Sequence, residues 1–431
     1  MRSLGTTAFW QSYRELPTGI RDAARAAYKK FLLDPAHPSL QLERLRSDPR
    51  FWSVRVTRDF RAVAQRLESD TWIWVWIGSH NDFDRRFPAQ VALRTSRVLL
   101  MKILFLGGTG NISAECAALL YERGHEILVV TRGRNAVPAN YQAIVADRKD
   151  ASAMRAALQG VRPEVVINFL GYDLPDVRVD YELFNGVVRQ YLFISSTSVY
   201  EKPPRKLPLT EDAPVGNAWW EYAQKKVACE QWLRQRGEEP SFPVTIVRPS
   251  HTYSKRWVPN AVSSGSYTFA ARLEQGKPVF VHDDGESPWT LTAAADFAVG
   301  LAGLVGNADA IGETFHITSD EVLTWNQIYA EIAAALAVES PQIVKVPTDF
   351  ICQMAPQLTG TLKGDKAHPG VFDNSKIKRF VPEFRCRKPF RAGVRESVSW
   401  LREHPDQQNL RPDLDTLIER VIRAWERRGS D

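Results

Sequence analysis

Residues 101–134, MKILFLGGTGNISAECAALLYERGHEILVVTRGR, decide the fold of most of this chain. The apolar run 102–106 predicts a buried strand, and the glycines Gly107, Gly108 and Gly110 follow it. A helical pattern covers 112–123, and a second apolar strand covers 126–130. Strand, glycine turn, helix and strand in this order are typical of the first half of a dinucleotide-binding unit.

The glycine turn predicts a site for a pyrophosphate. Glycine lets the backbone approach the phosphates, and the free N–H groups of a helix start, with its dipole, attract the anion. We therefore expect Gly107, Gly110, Asn111 and Ile112 to contact a cofactor. The alternative is a tight turn that binds nothing. Ser113 stands where a third glycine would allow close packing, and serine is small enough to fit there at a modest cost.

Composition places the chain among soluble globular proteins with two or three domains. It has 431 residues, 44% of them hydrophobic and 25% charged. The apolar runs are too short for a membrane span, and residues 1–30 are too charged for a signal peptide. The four cysteines are widely spaced without a metal-ligand pattern. We expect a cytoplasmic protein with reduced cysteines, no metal site and no membrane contact.

The positive charge lies in one part of the chain. Residues 1–100 hold 17 Lys and Arg against 10 Asp and Glu, a net +7, whereas the rest holds 39 against 40, a net −1. This asymmetry predicts different partners for the two parts. An anionic polymer or acidic protein suits the first, and a small molecule suits the second.

Residues 1–87 read as a small α+β domain, which a linker at 88–100 joins to the rest. Helical patterns at 9–16 and 18–33 precede strand patterns at 51–56, 61–67 and 71–77. Cleavage of RNA without a metal needs a base, an acid and cations for the phosphate. Candidates for these roles are Arg55, Arg58, Arg61 and His80. The alternative is a solvated basic face that docks an acidic partner.

Three segments of this region resemble the RelE/ParE superfamily of toxin–antitoxin ribonucleases. They are HPSLQLERL (37–45), FWSVRVTRDFRAVAQ (51–65) and WIWVWIGSHNDFDRRF (72–87). The resemblance implies a toxin-like fold, ribosome-associated mRNA cleavage and binding to an antitoxin. Phe83 stands where the family often has a tyrosine, and a phenylalanine cannot act as an acid.

The strand at 126–130 ends without an acidic residue for the ribose 2′-hydroxyl. Arg132 and Arg134 stand there instead, and arginine suits a 2′-phosphate, so we expect NAD(P) with a preference for NADP. The alternative is that both are surface arginines. At the end of the next strand, Asp147 either accepts from the adenine amino group or caps the following helix.

Tyr222 and Lys226 lie four residues apart in a helical stretch and so share one face. Such a phenol can exchange a proton with a substrate oxygen, and the ammonium lowers the phenol pKa and holds the nicotinamide ribose. A serine-rich segment, SSTSVY (195–200), follows an apolar strand and offers a hydroxyl to the same oxygen. The alternative is an exposed pair without a role.

Four motifs resemble the extended short-chain dehydrogenase/reductases, the NAD-dependent epimerase/dehydratase family. They are GGTG (107–110), FISSTSVY (193–200), YAQKK (222–226) and VTIVRPSHTY (244–253). Over residues 101–402, the resemblance implies an α/β fold with a Rossmann-type doubly wound parallel sheet (101–260) and a smaller, interleaved substrate region (261–431). It also implies a triad of Ser196, Tyr222 and Lys226, with Thr197 as the alternative to Ser196 and as a substrate contact. The resemblance also makes His251 and Tyr253 candidates for contact with the substrate, and the alternative for this turn is a capped loop without a ligand.

The leading hypothesis is an NAD(P)-dependent epimerase, dehydratase or reductase fused to a toxin-like module. Its substrate would be a nucleotide-sugar or a related hydroxyl or carbonyl compound. The alternatives are a regulatory protein that senses NADP and binds RNA without turnover, and an mRNA interferase. An apolar stripe at 414–425 packs either on the body of the protein or on a second subunit, as in a homodimer.

Overall fold

The computed structural model describes residues 2–35, 37–45, 51–57, 59–67, 71–79, 82–83, 100–134, 136–263 and 265–428. The chain forms two compact units, Met1–Leu99 and Leu100–Asp431. Within the described ranges, no helix combines the length and the apolar character that crossing a bilayer requires.

Among its described residues, the first unit forms a five-stranded sheet with two α-helices. The strand order is β1-β5-β4-β3-β2, in which only the β1–β5 pair is parallel. The strands are β1 (Arg2–Gly5), β2 (Glu43–Arg44), β3 (Phe51–Arg55), β4 (Phe60–Leu67) and β5 (Thr71–Ser79), and the helices are α1 (Thr7–Glu15) and α2 (Thr18–Leu33). Both helices and the three long strands lie where the sequence pattern predicts them, whereas β1 and β2 were not predicted.

Tryptophans of β5 build the core of the first unit. Trp72 and Trp74 lie edge-on to Phe31 of α2, with ring centres 5.0 and 5.1 Å away. The pairing of β4 with β5 shifts between Val63 and Ala64, as at a β-bulge. A bulge turns the following side chains to the other face of the sheet. Trp76 accordingly packs in a separate cluster on the opposite face.

The second unit contains a seven-stranded parallel sheet in the order β16-β11-β10-β9-β6-β7-β8. Its strands are β6 (Lys102–Leu106), β7 (Glu126–Thr131), β8 (Gln142–Val145), β9 (Val165–Asn168), β10 (Gln190–Ile194), β11 (Val244–Pro249) and β16 (Thr314–Ile317). The connection reverses between β6 and β9, which creates a crevice at their carboxyl ends, where ligands bind in such folds.

Helices cover both faces of this sheet because the side chains of β6 alternate. Ile103 and Phe105 join one buried cluster, and Leu104 and Leu106 join the other. The helices of this part are α3 (Ser113–Glu122), α4 (Ala151–Ala157), α5 (Leu174–Phe184), α6 (Glu221–Gly237) and α8 (Ala294–Leu304). The structure therefore has the doubly wound parallel sheet that the sequence predicted.

The remaining elements form a second core beside the sheet. Its strands are β12 (His251–Tyr253), β13 (Val279–His282), β14 (Pro288–Trp289), β15 (Leu291–Ala293), β17 (Leu323–Thr324) and β18 (Ile343–Val346). Its helices are α7 (Thr268–Glu274), α9 (Trp325–Leu336), α10 (Thr348–Met354), α12 (Phe390–Glu403) and α13 (Pro412–Arg428). Helix α11 (Ser375–Phe380) packs instead on the parallel sheet, through Ile377. The apolar stripe of α13 is buried in this core, so it packs on the body of the protein.

Candidate active site

The glycine turn lies at the carboxyl end of β6. Gly107 has a φ of +85°, and a Cβ there would lie 2.7 Å from the Leu170 side chain, so the position requires glycine. No side chain caps α3 at Ile112, so the positive end of the helix dipole is open to an anion, although the Ala114 N–H already donates to the Gly110 carbonyl at 3.1 Å. The turn thus fits the pyrophosphate of a dinucleotide.

Ser113 does more than fill the place of a third glycine. It is buried, and its hydroxyl accepts a hydrogen bond from the Gly110 N–H at 2.9 Å. Asn111 is also engaged: its amide donates to the Thr252 carbonyl at 2.9 Å and accepts from the Ser254 hydroxyl at 2.6 Å. The Asn111 side chain therefore ties the glycine turn to β12 and the residue after it.

The serine-rich segment after β10 holds one hydroxyl ready to donate. Ser196 Oγ accepts from the Ser198 N–H at 3.1 Å and from the Ser198 hydroxyl at 2.9 Å. With two bonds accepted, its own proton is directed elsewhere, and the hydroxyl lies near enough to Tyr222 to lower the pKa of that phenol. Thr197 is 3% exposed, so the position of Ser196 suits contact with a ligand better.

Lys226 is held by the ends of two strands. Its ammonium donates to the carbonyl oxygens of Gly171 and Ile194 at 2.8 and 2.7 Å. An ammonium has three N–H donors, so one remains for a ligand. Burial lowers the pKa of Lys226 to about 8, although the negative charges of Glu230 and Asp176 act in the opposite direction.

Tyr222 lies one helical turn from Lys226 and is half-buried. Its ring contacts those of Trp220 and Tyr172, with centres 4.9 and 6.4 Å away. Burial above all raises the pKa of Tyr222, while the nearby Ser196 hydroxyl acts to lower it. We expected Lys226 to lower this pKa, but the net direction is upward because desolvation of the phenol outweighs the favourable contacts.

The other sequence-predicted residues fall into two groups. Arg132, Arg134 and Asp147 are exposed near the ends of β7 and β8. Asp147 accepts from the Lys149 N–H, and Asp150 rather than Asp147 caps α4. Tyr253, in contrast, is 2% exposed and packs against Phe390, so its ring is part of the interior, and its contact with a substrate stays a prediction.

His251 is half-buried, and neither of its ring nitrogens has a hydrogen-bond partner among the described residues. Burial, and then the charge of Lys366, lowers the pKa of His251 to about 3, so the imidazole is neutral. A neutral imidazole with two unused nitrogens can donate to or accept from a substrate hydroxyl.

In the first unit, only part of the predicted basic group can be placed. Arg58 and His80 lie outside the described residues. Arg55 is half-buried, and its Nε donates to the Thr57 carbonyl. Arg61 is 2% exposed, donates to Ser53 Oγ at 2.9 Å and lies 3.6 Å from Glu43. Arg61 is therefore an interior residue and does not belong to an exposed basic face.

Several residues of the site carry no signal in the sequence. Asn217 donates to the carbonyls of Ser198 and Gly364 at 2.8 and 2.6 Å and so connects the serine segment to a short π-helix, Leu362–Lys366. That π-helix brings Asp365 and Lys366 beside the site, and Lys202 joins them from the segment after Tyr200. Lys202 lies far from Asp365 and Lys366 in the sequence, so no local sequence pattern indicates that the three side chains meet.

Comparisons with known proteins agree with this geometry. Residues 103–185 and 181–318 match the model of the NAD dependent epimerase/dehydratase family, and residues 18–85 match that of a ParE-like toxin domain. The chain is 26% identical to 2′-dehydrokanamycin reductase of Streptomyces kanamyceticus over 70% of this chain and 84% of the relative. It is also 26% identical to the chloroplast stem-loop binding protein of 41 kDa b from Arabidopsis thaliana, over 60% of this chain and 70% of the relative.

Solved structures show the same fold. UDP-glucose 4-epimerase of Thermotoga maritima, solved with UDP-glucose, superposes with a TM-score of 0.59 at 18% identity, over 70% of this chain and 99% of that one. The enzyme of Bifidobacterium longum, solved with NAD+ and UDP, gives 0.59 at 19% identity, over 71% and 99%. The chain therefore belongs to the NAD-dependent epimerase/dehydratase family and carries a ParE-like toxin domain at its N-terminal end.

Proposed function

We propose that residues 100–431 transfer a hydride between NAD(P) and a carbon that bears a hydroxyl or carbonyl group, in a sugar-like substrate. The observation that carries this proposal is the convergence of three groups at the carboxyl ends of β9 and β10. Ser196 lies near enough to Tyr222 to lower its pKa, and Lys226 lies one turn from Tyr222, with its ammonium fixed by two backbone carbonyls beyond β9 and at the end of β10.

Each group has a role that its position supports. When bound, the nicotinamide supplies or accepts the hydride. Tyr222 gives a proton to the carbonyl oxygen that is being reduced, or takes one from a hydroxyl that is being oxidised. Ser196 donates to the same oxygen, and Lys226 uses its remaining N–H to hold the cofactor and stabilises a developing phenolate by its charge.

Cofactor choice follows from the residues after β7. Arg132 and Arg134 are exposed, and neither they nor their neighbours supply the acidic group that would bind a ribose 2′-hydroxyl. We infer that a 2′-phosphate pairs with Arg132 and that NADP is preferred. Asp147 is exposed at the end of the neighbouring segment and accepts from the adenine amino group in this proposal.

The test is a panel of nucleotide-sugars and related carbonyl compounds assayed with NAD(P)+ and NAD(P)H. A reductase changes the absorbance of the cofactor, whereas an epimerase returns the hydride and changes only the sugar. Wild type and Tyr222→Phe are assayed side by side, since equal turnover by both would remove the proposed mechanism. The relative named for stem-loop binding favours a second candidate function, binding of nucleic acid without turnover. Gel-shift measurements with a stem-loop RNA test that candidate.

For the first unit we propose binding of an antitoxin-like partner. A cleft of about 260 Å³ lies between its helices and sheet, lined by Leu4, Trp10, Tyr28 and other largely apolar residues. Leu4 and Trp10 are 61% and 46% exposed, and Leu33 at the end of α2 is 87% exposed. Apolar exposure of this kind favours a protein partner. RNA cleavage receives less support because Arg61 and Phe83 are buried.

A further inference from the structure

A second group of ionisable side chains lies beside the triad. Lys202 and Lys366 flank one carboxylate, that of Asp365: Lys202 Nζ is 3.7 Å from Oδ1, and Lys366 Nζ is 3.8 Å from Oδ2. The three side chains are 0%, 8% and 12% exposed, respectively. We call Lys202 and Lys366 the lysine pair. In the part of the chain that the structure describes, these two buried ammonium groups share a single carboxylate, which leaves one positive charge without a counterion.

The hydrogen bonding of this group is incomplete. Lys202 Nζ and Asp365 Oδ1 are buried, and neither has a hydrogen-bond partner among the described residues. Both ion-pair distances exceed the 2.7–2.9 Å that is typical of a charged hydrogen bond. Burial also lowers the pKa of Lys202 and of Lys366, against the opposing charge of Asp365. A buried cation of this kind is costly unless an anion accompanies it.

Elsewhere the same protein satisfies a buried charge completely. Arg248 Nε and Nη2 donate to the Glu230 carboxylate at 2.9 and 2.5 Å, and Nη1 donates to the Tyr200 hydroxyl at 2.7 Å and to the Glu211 carbonyl at 3.0 Å. The fold is therefore able to close an ion pair around a buried cation. The open arrangement at the lysine pair points to a partner that the chain does not itself supply.

The lysine pair adjoins the reacting groups. Lys366 lies close enough to His251 for its charge to lower the pKa of that imidazole, and Asp365 is near enough to raise the pKa of Tyr222. Lys366 Nζ is 5.9 Å from the Trp220 ring, which contacts the ring of Tyr222. A π-helix carries Lys366, and Asn217 ties it to the serine segment. π-Helices are rare in proteins, and those that do occur are often found at functional sites.

We propose that Lys202 and Lys366 bind a carboxylate or phosphate group of the substrate whose hydroxyl or carbonyl carbon meets Tyr222. Naming this anion as part of the substrate rests on the proposed oxidoreductase function. Each lysine donates to an oxygen of the anion, and the Asp365 carboxylate competes with that anion for the two ammonium groups. The substrate class is therefore a sugar acid or a sugar phosphate, including a nucleotide-sugar, and an aminosugar is disfavoured because like charges would meet.

The test uses a matched series of sugars and the full chain saturated with NADP+. Calorimetric titrations compare glucose, glucosamine, glucuronate, glucose 6-phosphate and UDP-glucose, so that carboxylate, phosphate monoester and diphosphate are separated. At least one anionic sugar should bind tenfold or more tightly than glucose, and glucosamine should bind no more tightly than glucose. The anionic sugar that binds best identifies the source of the charge.

Variants connect that preference to the lysine pair. Lys202→Met and Lys366→Met should each weaken binding of the anionic sugar at least tenfold, and Asp365→Asn should tighten it because a competing negative charge is removed. Lys345→Met, at an exposed lysine of β18, is the matched control and should change nothing. A merely structural role for the three residues would not produce opposite effects from Lys366→Met and Asp365→Asn. Melting temperatures measured without ligand show whether each variant folds.

Two results would overturn the proposal: anionic sugars that bind no more tightly than glucose to wild type, or a preference for them that survives both lysine substitutions. The outcome is separable from that of the hydride chemistry. Tyr222→Phe should keep the anion preference while it loses turnover. Anion binding by a wild type that shows no turnover supports the lysine pair and counts against the oxidoreductase. Turnover without any anion preference supports the oxidoreductase and counts against the lysine pair.

Discussion

Lys226 Nζ lies 5.9 Å from the centre of the Tyr222 ring, one turn further along α6. The ammonium is fixed by carbonyl oxygens at the ends of β9 and β10 and not by a carboxylate. No carboxylate of the described residues forms an ion pair with it, although Glu230 and Asp176 act on it from further away, so its charge can act on the phenol and on a bound cofactor. The position of Lys226 relative to Tyr222 therefore depends on the carbonyl oxygens at the edge of the sheet as well as on the helix.

Removal of the Tyr222 hydroxyl should abolish most turnover. General acid–base catalysis contributes about 10²- to 10⁴-fold, so Tyr222→Phe should lower kcat by that factor. Cofactor affinity and melting temperature should change little, since the ring and its contacts with Trp220 remain. Steady-state kinetics measure the effect. Tyr121→Phe, at an exposed tyrosine of α3, is the control, and an equal loss there would count against a specific role for Tyr222.

Carbonyl reduction should weaken as the pH rises through about 8. Burial lowers the pKa of Lys226 from 10.5 to about 8, so the ammonium is present below that pH and is lost above it. The charge that stabilises a phenolate at Tyr222 and a donor to the cofactor then disappear together. The profile of kcat/KM between pH 6 and 10 checks this. Lys226→Met should be slow at every pH and should show no fall in kcat/KM near pH 8. A wild-type profile that stays flat to pH 10 would contradict the assignment of this fall to Lys226.

Substitution of Ser196 should affect turnover, whereas substitution of Thr197 should affect stability. Ser196→Ala removes the hydroxyl that contacts Tyr222 and should lower kcat by about 10²-fold, the scale found for one donor to a reacting oxygen. Thr197 is buried, so Thr197→Ala should act mainly on stability. Kinetics and thermal melting of both variants decide between them. The reverse pattern would transfer the role to Thr197.

The local elements of this fold were predictable because their signals are local. The apolar run before Gly107 fixes β6 at 102–106, and the pattern opened by Pro17 matches α2 at 18–33. Strand β1 carries no such signal, because its pairing with β5 joins Leu4 to Ile73 across the whole first unit. Only tertiary contacts make it a strand.

The candidate site was predictable where spacing within one element defines it. Tyr222 and Lys226 share a helix, so their common face follows from the helical repeat. Burial was harder to predict. Arg61 was expected on the surface, but Ser53 and Glu43 accompany it inside. Lys202 and Lys366 meet only because separate segments fold together, and no local pattern reports such a meeting.

Arg132 should control the choice between the two nicotinamide cofactors. A hydrogen bond to a charged group contributes about 1.5–3 kcal/mol, so Arg132→Ala should weaken NADP+ binding roughly 10- to 100-fold. Binding of NAD+ should be unchanged because that cofactor lacks the 2′-phosphate. Fluorescence titrations with NADPH and NADH measure both. Arg162→Ala, at another exposed arginine, is the control, and equal losses for the two cofactors in Arg132→Ala would remove the NADP preference.

Among the ion pairs of helix α6, the one between Arg248 and Glu230 should contribute most to the stability of the second unit. Both side chains are at most 3% exposed. Glu230→Ala leaves the guanidinium buried without its counterion, and breaking a buried pair in this way costs about 3–5 kcal/mol. Urea denaturation followed by tryptophan fluorescence measures the free energy of unfolding.

The same helix offers a control. Glu221 pairs with Lys225 at 2.7 Å, but the two side chains are 77% and 48% exposed, so solvent screens the interaction. Glu221→Ala should therefore leave the free energy of unfolding nearly unchanged. If both glutamate variants unfolded with the same free energy, burial of the Arg248 pair would not govern stability. A large loss confined to Glu230→Ala is the expected result, because only there does the substitution strand a charge away from water.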